Sequence, residues 1–172
     1  MNSIKIGDKV IYPNQGLGVI EAIREESYGG ESSMMFHLRI IANNTLIQIS
    51  SSTATEIGIR RPVSEGSIRK IFDYMRKGAV DVTMDWKGRY KEHVNLMKSG
   101  TLCDVATVLK SLYYLSLIKP LSFREKKMLE KAKELLVCEI SEATDVPGQK
   151  IEHRLLETLA RCFKDAKPRI AA

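Results

Sequence analysis

Met34-Met-Phe-His-Leu-Arg-Ile-Ile41 decides the fold of the first third of the chain. Met34, Phe36, Leu38 and Ile40 alternate with Met35, His37, Arg39 and Ile41, the period of a strand with one face apolar throughout. Working outward, Tyr28-Gly-Gly-Glu31 is a tight hairpin signal. Ala42-Asn-Asn44 makes the next turn and Leu46-Ile-Gln-Ile49 the next strand. Upstream, Lys9-Val-Ile-Tyr-Pro13 is a short strand ended by a proline, and Asn14-Gln-Gly-Leu-Gly18 is a turn. Leu17 to Glu25 forms a further strand with an irregularity near Ile20. Glu56-Ile-Gly-Ile-Arg60 is read as a last short strand. Short strands joined by tight turns imply a small antiparallel barrel over residues 1–61. Any edge such a barrel leaves open can pair with a strand from a partner.

From Ser64 onward the apolar period becomes helical. Ser67 to Lys77 carries Ile68, Ile71, Phe72 and Met75 on one face, with Gly78 as the expected C-cap. Residues 79–85 read as a loop. Trp86 to Ser99 follows, with Tyr90, Val94 and Met97 expected on the inward stripe and Gly100 at its end. Residues 102–118 present Val105, Val108, Leu109, Leu112 and Leu115, and Pro120 ends that helix. Ser122-Phe-Arg-Glu125 is a capping box. It opens a long helix with Met128, Leu129, Ala132, Leu135, Leu136 and Ile140 inward, broken at Asp145-Val-Pro-Gly148. The last helix, about 149–165, carries Ile151, Leu155, Leu159 and Phe163. Short loops favour a compact antiparallel bundle over 65–166, with 167–172 a frayed tail. The expected class is therefore α+β in two domains: a small antiparallel β barrel, then a bundle of about five helices.

Composition narrows the function. The chain has 172 residues, enough to bury a core without metals or disulfides. No window resembles a membrane span, and the N-terminus lacks the apolar core of a signal peptide, so a cytoplasmic protein is expected. Cys103, Cys138 and Cys162 are scattered and read as buried free thiols; without short-spaced pairs they and the three histidines imply no metal site. Residues 1–64 hold six Lys/Arg and six Asp/Glu, so the whole net charge of +6 lies in the helical part. That asymmetry suits a neutral module joined to one that meets a polyanion. There is no P-loop, GxGxxG, GxSxG, HExxH or EF-hand, and Asp81 and Asp85, four apart, read as charge balance. No enzyme, cofactor or small-molecule substrate is expected.

The informative stretch is Asp85-Trp-Lys-Gly-Arg-Tyr-Lys91, which holds the only tryptophan. Lys87, Arg89 and Lys91 can neutralise phosphates without choosing a sequence. Trp86 and Tyr90 can wedge or stack at an unstacked base step. Taken by itself, a lone tryptophan at a helix start is a core anchor, and the cations beside it a solvated face. Arg124 to Lys133 is a second basic stretch, with Lys126 and Lys127 near its start. Glu125, Glu130 and Glu134 offer i,i+4 partners there, which favours a solvated face.

In this order these pieces resemble the CarD/CdnL family of bacterial transcription regulators. The likeness rests on Ile6-Gly-Asp-Lys-Val-Ile-Tyr-Pro13 with Gly16 and the Val19–Ile23 strand, and on Glu56-Ile-Gly-Ile-Arg-Arg61. It continues through Asp85-Trp-Lys-Gly-Arg-Tyr-Lys91 and Leu121-Ser-Phe-Arg-Glu-Lys-Lys-Met-Leu129. The polymerase-binding module of transcription-repair coupling factors resembles the N-terminal block too; the two helical blocks make the match specific. The resemblance implies a Tudor-like barrel that docks on the RNA polymerase β subunit. It also implies a helical module that contacts promoter DNA at the upstream edge of the transcription bubble. There the family's tryptophan, which falls on Trp86, acts as an exposed minor-groove wedge that stabilises the open complex.

Opening DNA costs stacking, roughly 1.4 kcal/mol per step. A wedge shifts that equilibrium only by its differential affinity for open over closed DNA. Docking on polymerase raises the effective DNA concentration, so weak DNA affinity suffices. The expected DNA-binding residues are Trp86, Lys87, Arg89, Tyr90, Lys91, Lys126 and Lys127. The expected polymerase-binding residues are Arg24, Glu26, Ser27, Tyr28 and Gln48. Some relatives carry two adjacent arginines where this chain has Gly88-Arg89, and docking arginines where it has Glu26 and Gln48. The competing reading is a module that binds polymerase or another protein without touching DNA.

Overall fold

The structure, a computed structural model, describes residues 4–78, 80 and 85–164. The expected frayed tail and Asp81 lie outside the described residues. The chain divides between Pro62 and Val63 into two compact units.

The first unit is a four-stranded antiparallel half-barrel, in the order β1 (Lys9–Tyr12), β2 (Gly16–Tyr28), β3 (Glu31–Ile40) and β4 (Leu46–Ser50). Val10, Ile20, Leu38, Ile40 and Ile49 fill its core; of the apolar row expected at 34–41, Leu38 and Ile40 are sealed in and Phe36 packs against the core, while Met34 is exposed and His37 of the opposite row is buried. The expected irregularity is a register shift between Ile20 and Ala22. Glu21 is the extra residue, and its carboxylate receives both Nε and Nη2 of Arg39 at 3.0 Å. Gly18 is required by closeness: a Cβ there would stand 2.6 Å from Leu38 Cδ1 and 2.9 Å from the Arg39 carbonyl.

The expected fifth strand is instead a single helical turn, α1 (Ala54–Ile57). Gly58 ends it in the left-handed region (φ 87°), a conformation that favours glycine and turns the chain back. Only Arg60 then pairs, with Ile11 of β1. β1 is thereby covered on its outer side, and β4 is left as the open edge.

The second unit is a bundle of α2 (Glu65–Arg76), α3 (Trp86–Lys98), α4 (Leu102–Ile118), α5 (Phe123–Thr144) and α6 (Gly148–Cys162). α4 packs against α2, α3 and α5, and Val105, Val108, Leu109, Leu112 and Leu115 are buried as the pattern predicts. Thr101 and the Ser122–Glu125 capping box open α4 and α5, Ser64 caps α2, which begins at Glu65, two residues ahead of the expected start at Ser67, and Asp145 is in the left-handed region at the end of α5. The end of α2 differs. Gly78 does not cap it; Lys110, buried in α4, donates its ammonium to the carbonyls of Tyr74 (2.8 Å) and Lys77. The cysteines differ too: Cys103 is exposed and Cys138 and Cys162 half-buried. No helix among the described residues is long and apolar enough to cross a membrane.

Candidate functional site

The start of α3 is built by its cap. The Asp85 carboxylate accepts from the backbone N–H of Lys87 at 3.2 Å and of Gly88 at 2.9 Å. A Cβ on Gly88 would lie 2.7 Å from Asp85 Oδ2, so the glycine lets the carboxylate lie close against the first turn. Trp86 is the first helical residue and remains 50 % exposed. It is not sealed inside the bundle. Tyr90, four residues on, shares its side of the helix and is half-buried, while Lys87 and Lys91 are exposed on the adjoining ridge.

Arg89 does not join them, which corrects the sequence reading. α3 turns Arg89, His93 and Met97 inward, so of the expected stripe of Tyr90, Val94 and Met97 only Met97 is buried. Arg89 is 2 % exposed, and its Nη2 donates to Glu125 Oε1 at 2.6 Å. A guanidinium so held is not available to a phosphate. Glu125 is the same residue that closes the capping box of α5, accepting from the Ser122 N–H at 2.9 Å. Burial works against its charge, but Arg89 and the Ser122 N–H and hydroxyl outweigh it and hold the carboxyl at about 2. Next to this pair, His93 Nε2 lies 3.1 Å from Ser111 Oγ, and burial lowers its pKa.

The ion pair ties the opening turns of α3 and α5 to one another, three residues from Trp86 and two from Phe123. It therefore brings the second basic stretch to the first. Glu125 points inward, and Glu130 is taken by Lys133 (2.7 Å) and Glu134 by Lys131 (3.4 Å). The neutralisation expected of this stretch thus holds only in its far half, and through i,i+3 rather than i,i+4 pairs. Arg124, Lys126 and Lys127 are exposed and have no acidic partner among the described residues. Phe123, which sequence reasoning passed over as a spacer in the capping box, is 72 % exposed. Its position directly after the cap was the only available signal.

In the first unit, the cross-strand register sets the faces. Ala22, His37 and Gln48 are directly paired, as are Arg24, Met35 and Ser50. Arg24, Glu26 and Gln48 thereby share the outer face, opposite the Ile23–Phe36–Ile49 row that turns to the core. Ser27 alternates to the other face, and the backbone of Tyr28 pairs with Glu31. Glu26 is committed to His37 at 3.3 Å, whereas Arg24 and Gln48 are exposed.

The open edge has a definite polarity. Ile40 donates to the Thr45 carbonyl at 2.8 Å and Ser51 to the Met34 carbonyl at 2.8 Å, which fixes the hydrogen-bonded positions of the β3–β4 ladder. Leu46 and Gln48 fall between them. Their N–H and C=O groups point away from β3, as a strand added from outside requires. No group of His, Cys, Asp and Glu fit to hold a metal occurs among the described residues.

Comparison with known proteins agrees with this architecture. Residues 4–62 match the CarD-like/TRCF RID domain, and residues 70–156 the CarD C-terminal domain. The chain is 30 % identical over 148 residues to a protein described as "Putative transcription factor YdeB" from Bacillus subtilis, covering 86 % of this chain and 97 % of that one. Among solved structures it is similar to the 72-residue N-terminal domain of Myxococcus xanthus CarD, with 25 % identity, 34 % of this chain and 79 % of that one covered, and a TM-score of 0.31. With both halves matched in order along the chain, this protein belongs to the CarD-like family of transcription factors.

Proposed function

We propose that the protein docks on the RNA polymerase β subunit through its half-barrel and stabilises the open promoter complex through its helical unit. Docking uses strand addition to the outer side of β4 at Leu46 and Gln48; Arg24 and Glu26 lie two strands away on the same outer face, and Ser27 and Tyr28 stand at the β2–β3 hairpin end beyond the β4 pairing. The polar docking contacts differ from those of relatives with arginines at these places, but backbone pairing needs no particular side chain. Promoter DNA is met at the upstream edge of the bubble by Trp86, Lys87, Tyr90, Lys91, Lys126 and Lys127, with Trp86 as the minor-groove wedge. Arg89 supports these residues from behind.

The observation that carries this reading is the half-exposed Trp86 on a helix start held by a buried ion pair. An indole so placed can enter an unstacked step without first unfolding its helix, so little of its binding energy is lost to reorganisation. The lysines add a salt-dependent attraction that is indifferent to sequence. The reading is tested by cross-linking the protein to an upstream-fork promoter probe with and without polymerase. Cross-links at the α3 start that appear with polymerase are expected. Polymerase capture with no DNA cross-link would leave a protein-binding module alone.

A further inference from the structure

We infer that the groove between α2 and α6 binds a small polyphosphate ligand through Arg76, Arg154 and Arg161. The groove uses none of the residues assigned above to polymerase or DNA and lies beyond that reading. It measures about 440 Å³ and is lined by Arg76 at the end of α2 and by Arg154, Glu157, Arg161 and Cys162 of α6. That is the size of a small-molecule site. Arg154 is its centre. The guanidinium carbon lies over the Phe72 ring, 4.2 Å from its centroid, and Phe72 is buried, so the platform is fixed. Attraction to the face of a ring leaves the N–H donors of a guanidinium unspent. Arg154 is exposed and forms no ion pair among the described residues.

The surroundings choose the occupant. Arg76 Nη1 meets Asp73 at 2.6 Å and Arg161 Nη2 meets Glu157 at 2.6 Å, each through one nitrogen. The carboxylates hold these two guanidiniums in place and leave the rest of each fork for a ligand. They also return two negative charges, and the carbonyl end of α2 would repel an anion as well. Lys110 answers both. Its buried ammonium takes the carbonyls of Tyr74 and Lys77. That end of α2 adjoins the groove, since a Cβ on Gly78 would stand 3.9 Å from the Cys162 carbonyl. Four cations thus face two carboxylates. Planar forks match phosphate oxygens two at a time. Their spread over two helices suits linked phosphoryl groups, and the concavity suits a free polyphosphate better than a duplex.

The full-length protein is titrated with sodium tripolyphosphate at low salt, and heat is read by calorimetry. The parent is expected to bind one equivalent. Arg154→Ala is expected to bind about tenfold or more weakly, the low end for losing a hydrogen bond to a charged group. Arg154→Lys keeps the charge without the fork and should recover only part of that loss. Arg76→Gln, at an exposed helix end, should also weaken binding, and it decides the matter if Arg154→Ala lowers the thermal midpoint. A parent that takes up no tripolyphosphate overturns the inference, as does full affinity in both Arg154→Ala and Arg76→Gln. Arg154→Lys equal to the parent overturns it too, since positive charge alone would then suffice. If binding is lost with Lys126→Ala and kept with Arg154→Ala, the anion belongs to the α5 start and the groove is empty of function. A forked duplex added beforehand should leave tripolyphosphate affinity unchanged; displacement would assign the groove to the DNA backbone and overturn the inference. The Trp86 reading stands or falls separately, on open-complex lifetimes.

Discussion

The half-barrel and the helical bundle solve opposite problems. The half-barrel closes a core of aliphatic side chains and leaves backbone groups of β4 open at its edge. The bundle satisfies its backbone within helices but draws Arg89, Glu125, His93 and Lys110 inside. In exchange it leaves Trp86 and Phe123 outside. By helical spacing Trp86 lies on the same side of α3 as Arg89, His93 and Met97, and it is half exposed at the first position of that helix.

The largest effect expected from breaking this contrast is on stability. Arg89→Ala leaves the Glu125 charge buried with its main partner gone, and should cost about 3–5 kcal/mol in urea unfolding followed by circular dichroism. The exposed Glu21–Arg39 pair of the half-barrel should contribute far less to stability, since solvent screens it. A loss from Arg89→Ala no larger than that from Arg39→Ala would erase the distinction between the two units.

Acid sharpens the same contrast. The carboxyl of Glu125 titrates at about 2 in the folded chain rather than near 4.5, so the unfolded chain takes up its proton first as pH falls. Its stabilisation is whole above about 4.5 and fades on the way down to about 2. His93 acts earlier. Burial, with Arg89 adding to it, lowers its pKa against the pull of Glu92 and Glu125, so its contribution begins to fall once pH drops through about 6.5. The stability gap between the parent and Glu125→Gln should therefore be widest near pH 7 and shrink towards pH 2–3. A gap independent of pH would contradict a charged Glu125.

A smaller effect on stability, but a selective one on function, is expected at the edge. Gln48→Pro removes an outward N–H without taking a rung from the β3–β4 ladder. It should leave the thermal midpoint nearly unchanged while polymerase capture in a pull-down falls sharply. Capture equal to the parent's would move docking away from β4.

These contrasts explain which parts of the molecule could be read in advance. The alternation at 34–41 and the Ser122–Glu125 box are local rules, complete within a few residues, and the strand and the cap they predict both form. The inward stripe of α3 is not local. Arg89 is stable inside only because Glu125 lies across the bundle, 36 positions away, and His93 because Ser111 does, 18 positions away. Hydrophobic periodicity alone turns such residues outward, which makes Arg89 a phosphate ligand and sets Tyr90, an expected DNA contact, on the inward stripe. The segment before Arg60 failed for another reason. It is too short for its period to tell a strand from one helical turn, and Gly58 at positive φ decides for the turn. The solvent-facing Trp86 was legible only through family resemblance, because a lone tryptophan next to a cap is equally at home in a core.

The central claim is that the exposed indole, and not the fold around it, holds the promoter open. Open complexes formed by polymerase with the full-length protein are challenged with a competitor polyanion, and their lifetimes are compared for the parent and Trp86→Ala. The account predicts a lifetime reduced to near that of polymerase alone, with polymerase capture and thermal midpoint unchanged. A Trp86→Ala protein that captures polymerase and prolongs the open complex as well as the parent would contradict it.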